Sequence, residues 1–104
     1  MLTIDESYDN GVARARVGDS IRLQLSENPT TGYRWQMQPD VPPALRILAD
    51  SWEASGAAAG AGGVRFWTIV ADKPGKASLR LELKRSWEKT STRTFSVTLE
   101  AEAG

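Results

Sequence analysis

Apolar and polar residues alternate with period two along most of this chain, and the alternation restarts after each cluster of turn formers. Leu2 and Ile4 alternate with Thr3 and Asp5 as a short first strand, and Val12 to Val17 form a second segment. Ile21, Leu23 and Leu25 mark a clear strand, with Arg22 and Gln24 on its other face. Tyr33, Trp35 and Met37 then alternate with Arg34, Gln36 and Gln38. Leu45, Ile47 and Trp52 mark a less regular strand, and Val64 to Ala71 is apolar on both faces. Leu79, Leu81 and Leu83, and finally Phe95, Val97 and Leu99, complete the set. No segment carries a convincing helical period. The spacing predicts an all-β fold, an antiparallel immunoglobulin-like β-sandwich of seven to eight strands, in one domain spanning residues 1–104. Trp35, Trp52 and Trp67 fall within strand alternations and are expected in its core.

The breaks between strands are as informative as the strands. Asn10-Gly11 is the sequence signal of a tight hairpin turn, and Gly18-Asp19 turns the chain again. Residues 39–44 carry three prolines, and Asp72-Lys73-Pro74-Gly75 is a compact turn. Ala54 to Gly63 holds four glycines in its last eight residues, which argues against a helix and predicts a mobile loop. In an up-and-down order of antiparallel strands, alternate connections emerge at one end. The loops at 27–32, 54–63 and 85–92 then share one rim, and 39–44 and 72–76 share the other.

Composition removes whole classes of chemistry. The chain of 104 residues has neither cysteine nor histidine, so it lacks a thiol nucleophile, a disulfide framework and the commonest general base and metal ligand. Asp and Glu are scattered with no pair spaced for shared acid–base work, so no catalytic residue, no metal site and no cofactor is expected. Thirteen basic and thirteen acidic residues cancel, and no global field favours nucleic acid. No apolar run approaches a membrane span, and interspersed charges on the strands suit a monomer. The first residues lack the basic and apolar regions of a signal peptide. That start places the protein in the cytoplasm if Met1 is the native start, and in the periplasm or outside the cell if a signal peptide has been removed.

What remains is the shared rim. Asn28-Pro29-Thr30-Thr31-Gly32-Tyr33 reads as a rigid loop with a small polar tip, because Pro29 fixes φ, Gly32 tolerates positive φ, and the threonines are stiff at χ1. Trp87 shares a phase with Leu79, Leu81 and Leu83, so it either caps the core or stands exposed as a recognition anchor. Arg85, one step earlier in that phase, interrupts the buried face and favours the exposed position. Tryptophan beside arginine is a composition common at recognition surfaces.

These segments together resemble the chagasin-like inhibitors of papain-family cysteine proteases. Asn28-Pro29-Thr30-Thr31-Gly32-Tyr33 matches the family's first signature, Gly60-Ala61-Gly62-Gly63 its glycine signature, and Arg85-Ser86-Trp87 its third, Arg-Pro-Trp. Ser86 stands where the family favours proline, and Ala58 and Ala59 where relatives often carry larger apolar residues. The resemblance implies a reversible, non-covalent block of papain-like cysteine proteases by three loops entering the cleft side by side. It implies that Asn28, Pro29, Thr30, Thr31 and Gly32 sit over the catalytic pair. Gly60, Ala61, Gly62 and Gly63 would lie along the substrate side, their backbone pairing with the cleft wall. Arg85, Ser86 and Trp87 would pack on the other side, with Arg85 either holding its loop or meeting an acidic group of the protease. The alternative from another class is an immunoglobulin-like adhesion or carbohydrate-binding module using the same rim.

Overall fold

The computed structural model describes residues 2–28, 31–38, 43–54 and 62–103. Among these residues the chain forms eight strands: β1 (Leu2–Ile4), β2 (Gly11–Arg16), β3 (Ser20–Glu27), β4 (Arg34–Gln38), β5 (Leu45–Ala54), β6 (Gly63–Ala71), β7 (Gly75–Lys84) and β8 (Arg93–Glu102). They make two four-stranded sheets, ordered β1-β3-β6-β5 and β2-β8-β7-β4. The all-β sandwich expected from the period-two alternation is therefore present. Its inward residues are the alternating ones. Ile21, Leu23 and Leu25 of β3 and Leu79 and Leu81 of β7 are buried together with Phe95, Val97 and Leu99 of β8. Charged residues between them stay out of the core because burial without a partner is costly.

The first two strands depart from the simple hairpin picture. Asn10-Gly11 does not join paired neighbours: β1 pairs with β3 and β2 pairs with β8, both in parallel, while the other four pairings are antiparallel. The turn is a crossover from one sheet to the other, preceded by a 3₁₀ turn at Glu6–Tyr8 that Asp5 caps through Ser7 N–H. Asn10 takes the left-handed conformation (φ 62°) and donates its N–H to Ser96 O at 2.7 Å, while Asp9 Oδ1 accepts from Ser96 N–H at 2.9 Å. These two bonds tie the crossover to Ser96 of β8, where a hairpin would have tied it to its own flanking strand.

Trp35 and Trp67 lie in the core as expected, at 3% and 4% exposure. Trp52 does not: it is 38% exposed. A bulge between Ile47 and Ala49 leaves Leu48 outside and brings Trp52 into register with Arg65, on the face that Leu25 also shares. That face is inward, but β5 is an edge strand and Trp52 lies near its end, past the packed centre of the sandwich. The opposite end is closed by Arg46, which donates from Nε and Nη2 to the Asp72 carboxylate, and by Asp72 N–H, which donates to Ala44 O at 2.8 Å. The connections after β4 and β6 thus meet at that end.

Candidate functional site

The loop between β3 and β4 crosses from one sheet to the other, and its described part is held by its own atoms. Thr31 donates its N–H (3.2 Å) and its hydroxyl (2.8 Å) to Asn28 O, and its hydroxyl oxygen accepts from Tyr33 N–H at 3.3 Å. Gly32 then turns the chain with φ 83°, a conformation that a side chain would strain. Pro29 and Thr30 lie outside the described residues.

Arg85 reaches this loop from the end of β7. Its Nε donates to Thr31 O at 3.1 Å, and its guanidinium carbon lies 4.4 Å from the centre of the Tyr33 ring and 5.7 Å from that of Trp87. A planar guanidinium can donate in its plane and stack on an aromatic face together, which an ammonium cannot. Within the chain Arg85 thus holds the neighbouring Thr31–Gly32 turn. Trp87 is 73% exposed, so it does not cap the core. A Cβ on Gly32 would sit 3.5 Å from the Trp87 ring and 3.7 Å from the Arg85 stem. Ser86 is exposed beside it in the turn, where Glu88 N–H donates to Arg85 O at 3.0 Å.

On the other side of the tip lies the glycine segment. Gly62 has φ 78°, and a Cβ there would sit 3.6 Å from that of Asn28. Gly60 and Ala61 lie outside the described residues. Gly63 differs from the expectation of a backbone laid along a cleft. It is buried, and as the first residue of the inner strand β6 it is flanked by Glu27 on one side and Ala54 on the other. An added Cβ would collide with Glu53 O and lie 2.6–2.7 Å from the Trp52 ring. Its lack of a side chain is therefore required inside the molecule, by the indole that covers it.

The described residues of the three motifs thus form one row, in which Gly62 lies beside Asn28, and Gly32, next to Thr31, lies beside Arg85 and Trp87. A shallow cleft between the first two is lined by Ser26, Asn28, Thr31, Tyr33, Gly62 and Leu83. Glu27 does not stand out in the sequence and Trp52 reads there as a core residue, yet both lie at the base of this row. The row presents an exposed indole and the small polar Thr31–Gly32 turn, with no group of three or more acidic residues placed to hold a metal among the described residues.

The family described as Chagasin family peptidase inhibitor I42 matches residues 14–99. No curated protein sequence matches the chain significantly. Among solved structures, the cysteine protease inhibitor EhICP2 from Entamoeba histolytica is similar at TM-score 0.84 and 23% identity, over 97% of this chain and 94% of that one. Leishmania mexicana ICP is similar at TM-score 0.60 and 22% identity, over 89% and 86%. PbICP-C, solved in complex with falcipain-2, is similar at TM-score 0.58 and 16% identity, over 98% and 89%.

Proposed function

This chain belongs to the chagasin family of peptidase inhibitors, and from that membership we propose that it blocks papain-like cysteine peptidases by reversible, non-covalent insertion of one loop edge into the active-site cleft. The tip Asn28 to Gly32 enters over the catalytic pair. The glycine segment ending at Gly62 runs along one wall, and Trp87 packs on the other. No group of this chain acts on a substrate bond.

The observation that carries the reading is the state of the Thr31 carbonyl. Insertion of a peptide into a peptidase cleft invites cleavage unless the nearest carbonyl is withheld from attack. Thr31 O is already engaged by Arg85 Nε, and the following Gly32 bends the backbone away from extended geometry. Acylation requires a carbonyl presented in near-attack alignment with its oxygen facing hydrogen-bond donors of the enzyme. A carbonyl already held by a guanidinium of its own chain meets neither condition. The tip can occupy the cleft without becoming a substrate.

An interface of this kind buries ~1,600 Å² in total, with the indole as its principal anchor. The test is titration of the purified chain into papain with a fluorogenic peptide substrate. Stoichiometric inhibition that reverses fully on dilution, with the inhibitor recovered uncleaved, is the expected result. Turnover of the chain at Thr31–Gly32, or absence of inhibition across a panel of papain-like enzymes, refutes it.

A further inference from the structure

We infer that Glu27 is a positioning residue for inhibition: its buried carboxylate sets the spacing between the tip loop and the glycine segment. The inference rests on the inhibitory reading above but not on any contact of Glu27 with a peptidase. Glu27 ends β3 and is 4% exposed, the one buried charged residue among the described residues. A buried carboxylate without partners is strongly unfavourable, so its partners reveal what it does.

Those partners lie on the strands that bear the loops. Glu27 Oε1 accepts from Trp35 N–H at 2.8 Å, which ties the end of β3 to the start of β4 across the two sheets and closes the base of the tip loop. The same carboxylate accepts from Arg65 Nη1 at 3.2 and 3.4 Å, reaching the start of β6 just after the glycine segment. Arg65 is held in turn by Asp50 of β5 through Nε and Nη2. The backbone repeats the pattern. Glu27 O accepts from Trp52 Nε1 at 2.9 Å, placing the indole that covers Gly63, and the neighbouring Ser26 O accepts from Trp35 Nε1 at 2.9 Å. One residue therefore joins β4, β5 and β6 at the point where both loops leave the sandwich.

The bonds lie beneath the rim, so their loss leaves the contact atoms in place but lowers the fraction of molecules whose loops are correctly spaced. Apparent affinity falls by that fraction, and the loss appears in association. The variants are Glu27→Met, which keeps the bulk and removes the acceptors, and Glu27→Gln, which keeps an acceptor for Trp35 N–H. Progress curves with papain should show association about tenfold slower for Glu27→Met with dissociation unchanged, and only about threefold slower for Glu27→Gln. Loss confined to dissociation would mean direct contact with the enzyme and overturns the inference, as does unchanged association.

Amide hydrogen exchange on the free protein tests the same idea without a peptidase. The Thr31 and Tyr33 amides should exchange faster in Glu27→Met while the Leu81 and Phe95 amides of the core do not. Equal acceleration everywhere signifies general destabilisation and overturns it. If Glu27→Met fails to fold, Glu27→Gln alone should still slow association about threefold, and no slowing refutes the inference. Should the unaltered chain not inhibit papain-like enzymes at all, the proposed function fails, and the exchange result still decides the role of Glu27.

Discussion

Replacing Trp87 by alanine separates recognition from folding in a single measurement. The side chain is 73% exposed, and its intramolecular neighbours are the Gly32 turn and Arg85. A tryptophan offers ~200 Å² of surface, so ~150 Å² of Trp87 faces outward and ~50 Å² rests on the protein. At ~25 cal/mol per Å² the outward part has a ceiling of ~4 kcal/mol in a complex, and the inward part contributes ~1 kcal/mol to the fold. Ordering and desolvation take up part of the first figure, leaving ~2 kcal/mol, the lower bound for a hot-spot residue. That corresponds to a ~30-fold rise in the inhibition constant. Thermal unfolding should shift by only a few degrees, as ~1 kcal/mol does in a domain of this size. The assay is a papain progress curve for each variant, with a melting curve on the same sample. An unaltered inhibition constant refutes the anchor role. Loss of the folded state refutes the area argument, because a side chain so exposed cannot support the core.

Three further outcomes follow from the same geometry. Gly63→Ala forces a methyl group against Glu53 O and the Trp52 ring, and should lower stability by about 1–3 kcal/mol, the range for overpacking; urea unfolding checks this, and a neutral result removes the reason given for the glycine. Arg85→Lys should weaken inhibition nearly as much as Arg85→Met, because neither can both donate to Thr31 O and stack on Tyr33; a loss that vanishes at high salt would instead mean that Arg85 meets an acidic group of the peptidase. Acid should destabilise the fold. Hydrogen bonding to Arg46 holds the Asp72 carboxyl below its ordinary 3.8, and hydrogen bonding to Arg14 with help from Lys76 holds Glu100 below its ordinary 4.5. Depressed values contribute stability above the ordinary carboxylate range and lose it as pH falls through the depressed ones. The melting temperature should be flat from neutrality to about pH 5 and decline below it, modestly because Asp72 is exposed and Glu100 only partly buried; a rise on acidification contradicts the assignment.

Most of the sandwich was legible because its core strands alternate cleanly. Ile21, Leu23 and Leu25 or Leu79 and Leu81 admit one inward face, and a slip by one residue would bury Arg22 or Arg80. The crossover at Asn10-Gly11 was not legible, since a left-handed asparagine serves a hairpin and a sheet-to-sheet passage equally well. Trp52 reads as a core residue for a sound local reason, its strand-like neighbourhood. Neither the bulge after Ile47 nor the edge position of β5 has a sequence signature strong enough to correct that. Glu27 was hidden by the rule that reads a carboxylate as the end of an apolar alternation. Its phase was available, because Ile21, Leu23, Leu25 and Glu27 follow at intervals of two. An inward acid at a strand end demands an inward base, and Arg65 is that base.

The seats of the loops explain why a recognition edge can be built from such small residues. Threonine and glycine contribute little area, so a tip made of them binds well only if little freedom is lost on docking. At Thr31 that freedom is removed beforehand. Thr31 spends its N–H, hydroxyl and carbonyl on Asn28, Tyr33 and Arg85. The base of the same loop is closed by Trp35 N–H on Glu27 and by Trp35 Nε1 on Ser26. A substitution at the edge itself therefore acts on contact, whereas one at Glu27, Arg85 or Gly63 acts on the fraction of molecules ready to make contact. The two kinds differ in which rate constant they change, and that difference is measurable even where their inhibition constants coincide.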